Sequence, residues 1–205
     1  MVKKDKRKGC KQSNTHSYEE RVNLHSDEKR KIVEKALMFI KEDKTYFFDV
    51  STSIELLAKA VDKGITVYTH SLDNLYILSE KKDILVYSIG EFLNKSNRFF
   101  YKPEGKNYFD GIEFDVAFLG ATAITKDGIY YDDKEDAVIK GEVAKKAKRV
   151  ILLAEHEKYA NTALYKGMDL NDIDIIIVDP ISSDYFVDII NSQDIKLNPS
   201  SLIIM

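Results

Sequence analysis

Three hydroxyl residues in succession, Ser51, Thr52 and Ser53, follow Asp49 and Val50 where a run of bulky β-formers, Tyr46, Phe47 and Phe48, ends. Beyond them Ile54, Leu57, Ala58 and Val61 recur at intervals of three and four, the spacing of one helix face. A strand, a polar loop and a helix N-terminus in that order gather hydroxyls and unpaired backbone N–H groups at the positive end of a helix dipole. That combination can hold a phosphate. An ordinary helix cap uses the same residue types, so the rest of the chain has to separate the two readings.

Similar residues close four other apolar runs. "ITVY" ends in Thr69-His70-Ser71, "ILVYSI" in Gly90-Glu91, "VAFL" in Gly120-Ala121-Thr122, and "VILLA" in Glu155-His156-Glu157-Lys158. In open α/β sheets ligands bind beyond the carboxyl ends of the strands, where strand order reverses. These five loops therefore converge on one edge of the expected sheet. Gly120-Ala121 would let backbone approach a ligand closely. In "KEDAVIK" Glu135 and Lys140 stand five apart, too far for an i,i+4 pair. Glu135 can reach the crevice from the helix start, and Lys140 can turn inward or to solvent.

The elements that carry these loops alternate. β-rich runs fall at 45–49, 65–69, 83–89, 115–119, 149–153 and 173–178, and helical patterns at 53–62, 72–81, 134–147 and 182–192. Ser26 followed by Asp27 and Glu28 starts a further helix, with Ile32, Val33, Ala36, Leu37 and Ile40 as its buried stripe. The alternation predicts an α/β fold, a mainly parallel Rossmann-like sheet with helices on both faces. The strands are almost continuously apolar, as doubly covered parallel strands are. Residues 92–112 interrupt the rhythm with aromatics, Pro103 and two glycines, and predict an edge strand near "RFFY" and a short helix. "TALYKG", 162–167, reads as another edge strand.

Bulk properties narrow the classes. The 205 residues suit one sizeable domain with a tail, and 44% hydrophobic against 32% charged residues allows a buried core. Residues 1–11 hold six Lys or Arg against one Asp, so within a total charge of −3 the remainder sums to −8. That balance gives the body no attraction for nucleic acid or anionic membrane. Cys10 is the single cysteine, which excludes an intrachain disulfide and a multi-cysteine zinc site. No apolar run approaches the ~20 residues that span a bilayer, and the charged start lacks a signal-peptide core. Cytoplasmic location, no metal and no cofactor are the expectations.

The ordered string "EKRKI…FFDVSTS…ITVYTHS…ILVYSIGE…FDVAFLGAT…DGIYYDDKEDAVIK…AKRVILLAEHEKY…IDIIIVD" resembles the C-terminal sensor domain of DeoR-type sugar-metabolism repressors over about residues 18–180. Their pattern has a strand ending D-x-G-T-T, then T-N-S, G-G-E, a strand ending L-G-A, E-x-x-x-x-K, and a strand ending D-x-S-K-F. The resemblance implies a fold like ribose-5-phosphate isomerases and CoA-transferases, and recognition of a phosphorylated sugar or related metabolite. It places Asp49, Ser51, Thr52 and Ser53 on the effector loop, Thr69, His70 and Ser71 on the second, Gly90 and Glu91 on the third, and Gly120 and Ala121 on the fourth. Glu135, Lys140 and Lys158 fall on the acidic and basic positions beyond. Ser51 replaces the loop glycine, His70 the asparagine and Ile89 the first glycine of a pair. Thr122 takes a position often acidic, and Glu155-His156-Glu157 replaces an Asp-Ser-Ser-like run, adding carboxylates that repel an anion.

Such repressors carry an N-terminal winged helix-turn-helix, for which residues 1–25, read as a basic tail and linker, are too few. The expectation is a sensor domain, 26–205, that forms a homo-oligomer (dimer or tetramer) and meets DNA only through an absent N-terminal module. Asp49 would take sugar hydroxyls or orient Lys158, which would help hold the phosphate. The alternative is a sugar-phosphate isomerase-like enzyme with Glu135 or Glu155 as base.

Overall fold

The computed structural model describes residues 18–24, 26–103, 108–159, 161–182 and 202–204. The tail read over residues 1–17 and the helix expected over 182–192, from residue 183 on, lie outside them. Apolar runs with β-branched and aromatic residues form seven strands of one sheet: β1 (Thr45–Phe48), β2 (Ile65–Thr69), β3 (Ile84–Ser88), β6 (Val116–Leu119), β9 (Val150–Ala154), β11 (Ile175–Val178) and β12 (Leu202–Ile204). Their order is β12-β11-β9-β6-β1-β2-β3, and every neighbouring pair is parallel. The chain steps from β1 outward to β2 and β3, then returns to the other side of β1 with β6. The reversal point therefore lies between β1 and β6, and a crevice opens there beyond the strand ends.

The period of two along β1 divides the core. Phe47 points into one buried cluster with Phe109, Phe114, Ile139, Val143 and Leu152. Tyr46 and Phe48 point into the other with Ile32, Ile54, Leu57 and Phe118. Helices α2 (Ser26–Leu37), α3 (Thr52–Ala60) and α4 (Leu72–Ser79) supply apolar residues to the second cluster, and α5 (Lys134–Lys146) covers the first. Of the stripe expected from α2, Ile32, Val33, Ala36 and Ile40 are buried, while Leu37 is only partly so.

Three features differ from the sequence expectation. "YEERVN", read as linker, forms a short helix, α1 (Tyr18–Asn23), because its buried Tyr18 donates a hydrogen bond to Glu55 on α3 at 2.7 Å. Residues 92–112 hold a hairpin of β4 (Phe92–Asn94) and β5 (Phe99–Tyr101), followed by a turn at Tyr108–Gly111. Among the described residues there no helix forms. The hairpin is fastened to the loop after β2 through Phe100 N–H to His70 O, 2.7 Å, and Leu72 N–H to Arg98 O, 3.0 Å.

The third difference is a separate antiparallel sheet of β7 (Ala123–Thr125), β8 (Gly128–Tyr131) and β10 (Tyr165–Met168). The edge strand expected at 162–167 is β10, but it pairs there rather than on the main sheet. The β7–β8 hairpin, turned through Gly128 at φ 144°, brings Tyr131 and the acids after it over the crevice. Phe47 packs edge-on to Phe109 at 5.6 Å and lies 5.5 Å from Phe114. Phe47→Ala is therefore expected to cost roughly 3–5 kcal/mol, read as a lower urea midpoint with an unchanged slope.

Candidate functional site

The loops after β1, β6 and β9 enclose a cavity of about 300 Å³ at the reversal point. That volume suits a small metabolite. Ser51, Thr52 and Ser53 form one wall, Gly120, Ala121 and Thr122 another, and Glu155 and Lys158 a third. Arg21 of α1, Asn97 and Phe99 of the hairpin, Asp132 and Asp133 before α5, and Asp136 and Lys140 on α5 complete the lining.

Asp49 lies under this cavity, fully buried. Its Oδ1 accepts from Ser51 N–H at 2.8 Å, and its Oδ2 accepts from Gly120 N–H at 2.7 Å and pairs with Lys140 Nζ at 2.9 Å. One carboxylate thus ties the β1 loop to the β6 loop. The sequence reading gave Asp49 to sugar hydroxyls or to Lys158. The structure instead fills its oxygens with backbone donors and Lys140. Gly120 is required by this approach, since a Cβ there would run into the Ser51 side chain. Ser51 occupies the N-cap of α3 but makes no side-chain cap, and its Oγ is buried without a partner. The first-turn N–H groups of α3 therefore face the cavity without a side-chain acceptor from their N-cap.

Lys140, 3% exposed, turns inward. Its Nζ lies 2.9 Å from both Asp49 and Asp136 and 4.2 Å from the centre of the Tyr131 ring. Burial alone would lower its pKa, but Asp136 and Asp49 outweigh that and raise it. Burial acts to raise the pKa of Asp136, and Lys140 and His70 overcome it and hold it below the usual range. His70 Nε2 lies 2.9 Å from Asp136 Oδ1, and the imidazole stacks on Phe47 at 5.5 Å. The Tyr131 hydroxyl donates to Gly120 O at 3.0 Å.

The outer wall is acidic too. Glu155, buried, accepts from the Ser53 hydroxyl at 2.5 Å. Lys158, on the 3-10 turn His156–Tyr159, lies 2.8 Å from Glu157 and 3.8 Å from Glu155. Asp132 is pushed up by burial against the pull of Arg21 and Lys158, and its Oδ1 has no partner. Asp133 is raised by burial and by Asp136, and accepts from Asn97 at 2.6 Å and Asn94 at 3.1 Å.

The expected residues thus divide. Ser51, Thr52, Ser53, Gly120, Ala121, Lys140 and Lys158 meet at the cavity. Thr69, His70 and Ser71 are buried beside it rather than lining it. Thr69 Oγ1 accepts from Ser71 N–H at 3.1 Å, Ser71 caps α4 through Asn74 N–H, and His70 braces Asp136. Gly90 and Glu91 do not reach the cavity. Gly90, at φ 104°, lets the chain pass against Phe100, and Glu91 is exposed with its N–H on Tyr101 O. Glu135 is also outside, because the helix turns Asp136 inward. Asp136 stands four residues before Lys140, the helical pairing distance, and that spacing was a readable signal. Arg21, Asn97, Asp132 and Asp133 carried no such signal, since α1 and the hairpins bring them in from elements the sequence reading did not place. Among the described residues no cluster of His, Cys, Asp or Glu could hold a metal ion, and no helix is long and apolar enough to cross a membrane.

A family profile described as the DeoR C terminal sensor domain matches residues 24–180. The chain belongs to the DeoR family. It is 33% identical over 184 residues to the HTH-type transcriptional repressor GlcR of Bacillus subtilis, covering 88% of this chain and 70% of that protein. It is 26% identical to the deoxyribose operon repressor of Escherichia coli, covering 83% and 69%. Among solved structures, eIF2B delta from Chaetomium thermophilum superposes with a TM-score of 0.53 at 14% identity, covering 75% of this chain and 56% of that one. A D-ribose-5-phosphate isomerase in complex with phospho-erythronic acid gives 0.49 at 16%, covering 65% and 54%. The chain thus spans about half the length of these structures, and the eIF2B delta likeness establishes the fold alone.

Lys140→Met tests the buried pair. It strands two carboxylates and is expected to cost roughly 3–5 kcal/mol. In the native protein the lowered Asp136 adds stability above about pH 4 that is lost as pH falls through its folded value, and the raised Lys140 adds stability lost as pH rises beyond about 10.4. Without Lys140 the folded pKa of Asp136 rises, so stability is lost as pH rises. Thermal melts should show the variant firmer at pH 5 than at pH 8, with no such preference in the native protein.

Proposed function

We propose that this chain is the effector-sensing and self-associating part of a cytoplasmic sugar-metabolism repressor. In this reading it binds a phosphorylated sugar in the β1–β6 cavity and acts on DNA through a helix-turn-helix module preceding the sensor domain. The observation that carries the reading is the N-terminus of α3, open to a cavity and lined by Thr52 and Ser53 without a side-chain cap from Ser51. A helix start favours an anion by about 0.3–1 kcal/mol when exposed and more when enclosed. Lys158 stands within the same walls and would add charge-assisted hydrogen bonds by leaving Glu157. The acidic residues across the cavity suit neutral hydroxyls, which donate to carboxylates. The DeoR-family relatives are named as transcriptional repressors, which supports sensing over isomerisation.

Self-association has its own support. β3 is the edge of the seven-stranded sheet, and Leu85 and Tyr87 on it are 63% and 48% exposed. A second copy pairing antiparallel about Val86 would set Leu85 of one copy against Tyr87 of the other and cover both edges.

Thr52→Ala is expected to weaken binding of a sugar phosphate tenfold or more while leaving the matching unphosphorylated sugar unchanged, with a melting temperature close to native, in calorimetric titrations. Ser53→Ala would also remove the hydroxyl that donates to Glu155, so Thr52 is the cleaner probe. For association, light scattering should show the native chain as a dimer or larger and Tyr87→Lys as a monomer. A native monomer at tens of micromolar would remove the self-associating role.

A further inference from the structure

Two buried polar atoms on the cavity wall are complementary yet unused. The Nε–H of Arg21 is a donor with no acceptor, and Oδ1 of Asp132 is an acceptor with no donor. Both residues line the cavity, and neither satisfies the other. An orphaned pair of this kind costs free energy unless a third group completes it. A hydroxyl can do so, because its oxygen accepts from Nε–H while its hydrogen goes to Oδ1.

Arg21 also has an unusual origin. It comes from α1, whose Tyr18 bonds to Glu55 of α3 and whose Arg21 carbonyl accepts from Lys29 Nζ at 2.5 Å. Among the described residues the Arg21 guanidinium donates to Asn97 Oδ1 at 3.2 Å, and it lies 5.7 Å from the Tyr18 ring centre. α1 is the first described element of the chain, so a ligand held by Arg21 would touch the element that follows residues 1–17 in sequence.

We infer that Arg21 and Asp132 read a hydroxyl of the ligand at the end away from its phosphate, and that this contact fastens α1 to the sensor domain when the cavity is filled. The inference rests on the proposed sugar-phosphate site and adds both a specificity pair and a route by which occupancy reaches the N-terminal chain. The hydroxyl-reading pair would select polyhydroxylated phosphates over inorganic phosphate, which reaches only the α3 end.

The test uses the full chain with ribose 5-phosphate, fructose 6-phosphate and inorganic phosphate, followed by calorimetry and by amide exchange over residues 18–24. Arg21→Gln and Asp132→Asn are each expected to lose tenfold or more in affinity for whichever sugar phosphate the native chain prefers, and to keep native affinity for inorganic phosphate. The sugar phosphate should slow exchange in α1 of the native chain and not of Arg21→Gln. Equal losses for sugar phosphate and inorganic phosphate would make Arg21 a phosphate ligand and overturn the inference. So would unchanged affinity in both variants, or α1 exchange indifferent to ligand, while the site itself stood. A native chain that binds none of the three probes would overturn the site and this inference together.

Discussion

The carboxylate of Asp49 is the constraint on which the rest of the site depends. Wholly buried, it binds the β1 loop through Ser51 N–H, the β6 loop through Gly120 N–H and helix α5 through Lys140. A charge so placed survives only with its oxygens filled by donors and a cation beside it. Those demands dictate the neighbours: a residue without a Cβ at 120, a lysine reaching in from α5, and a second carboxylate, Asp136, with His70 behind it. The α3 N-terminus opens toward the cavity because the loop before it is held down from beneath.

The charges around the cavity separate by depth. Beneath it Lys140 lies between two carboxylates, so the cation most deeply placed is already neutralised. Nearer the opening Lys158 is engaged by Glu157 and Glu155, while Arg21 keeps one donor unused. An anion entering the site competes with carboxylates for its cations. Under the proposed function, discrimination would then depend on the backbone N–H groups of α3 and on where the remaining donors point. Glu155 accepts from Ser53 and, with Glu157, pairs with Lys158, which under the proposed function an entering phosphate would have to draw away.

The main sheet was legible in the sequence because its strands are unbroken apolar runs separated by helical periodicity, and β1, β2, β3, β6, β9 and β11 fall within a residue or two of their expected places. The loops that end β1 and β6 were legible for the same reason, since strand ends on a parallel sheet share one edge. The opposite wall was not. β7 and β8 are three and four residues long, too short for alternation to stand out, and they carry Asp132 and Asp133 to the cavity in the segment that follows. α1 has six residues, too few for a period to stand out, and its Tyr18 is tied to Glu55 on α3. Glu91 and Glu135 were misplaced by matching residue type to loop position. Gly90 serves a chain crossing, and α5 presents Asp136 in place of its neighbour.

The most direct test is a crystal structure of this chain grown with a sugar phosphate that it binds. The account predicts the phosphorus density at the start of α3, its oxygens within ~3 Å of first-turn N–H groups and the Thr52 hydroxyl, with Asp49 and Lys140 unmoved beneath. Phosphate lodged elsewhere, whether at the exposed Gly90–Glu91 turn or on Lys140 with the Asp49 contact broken, would contradict it.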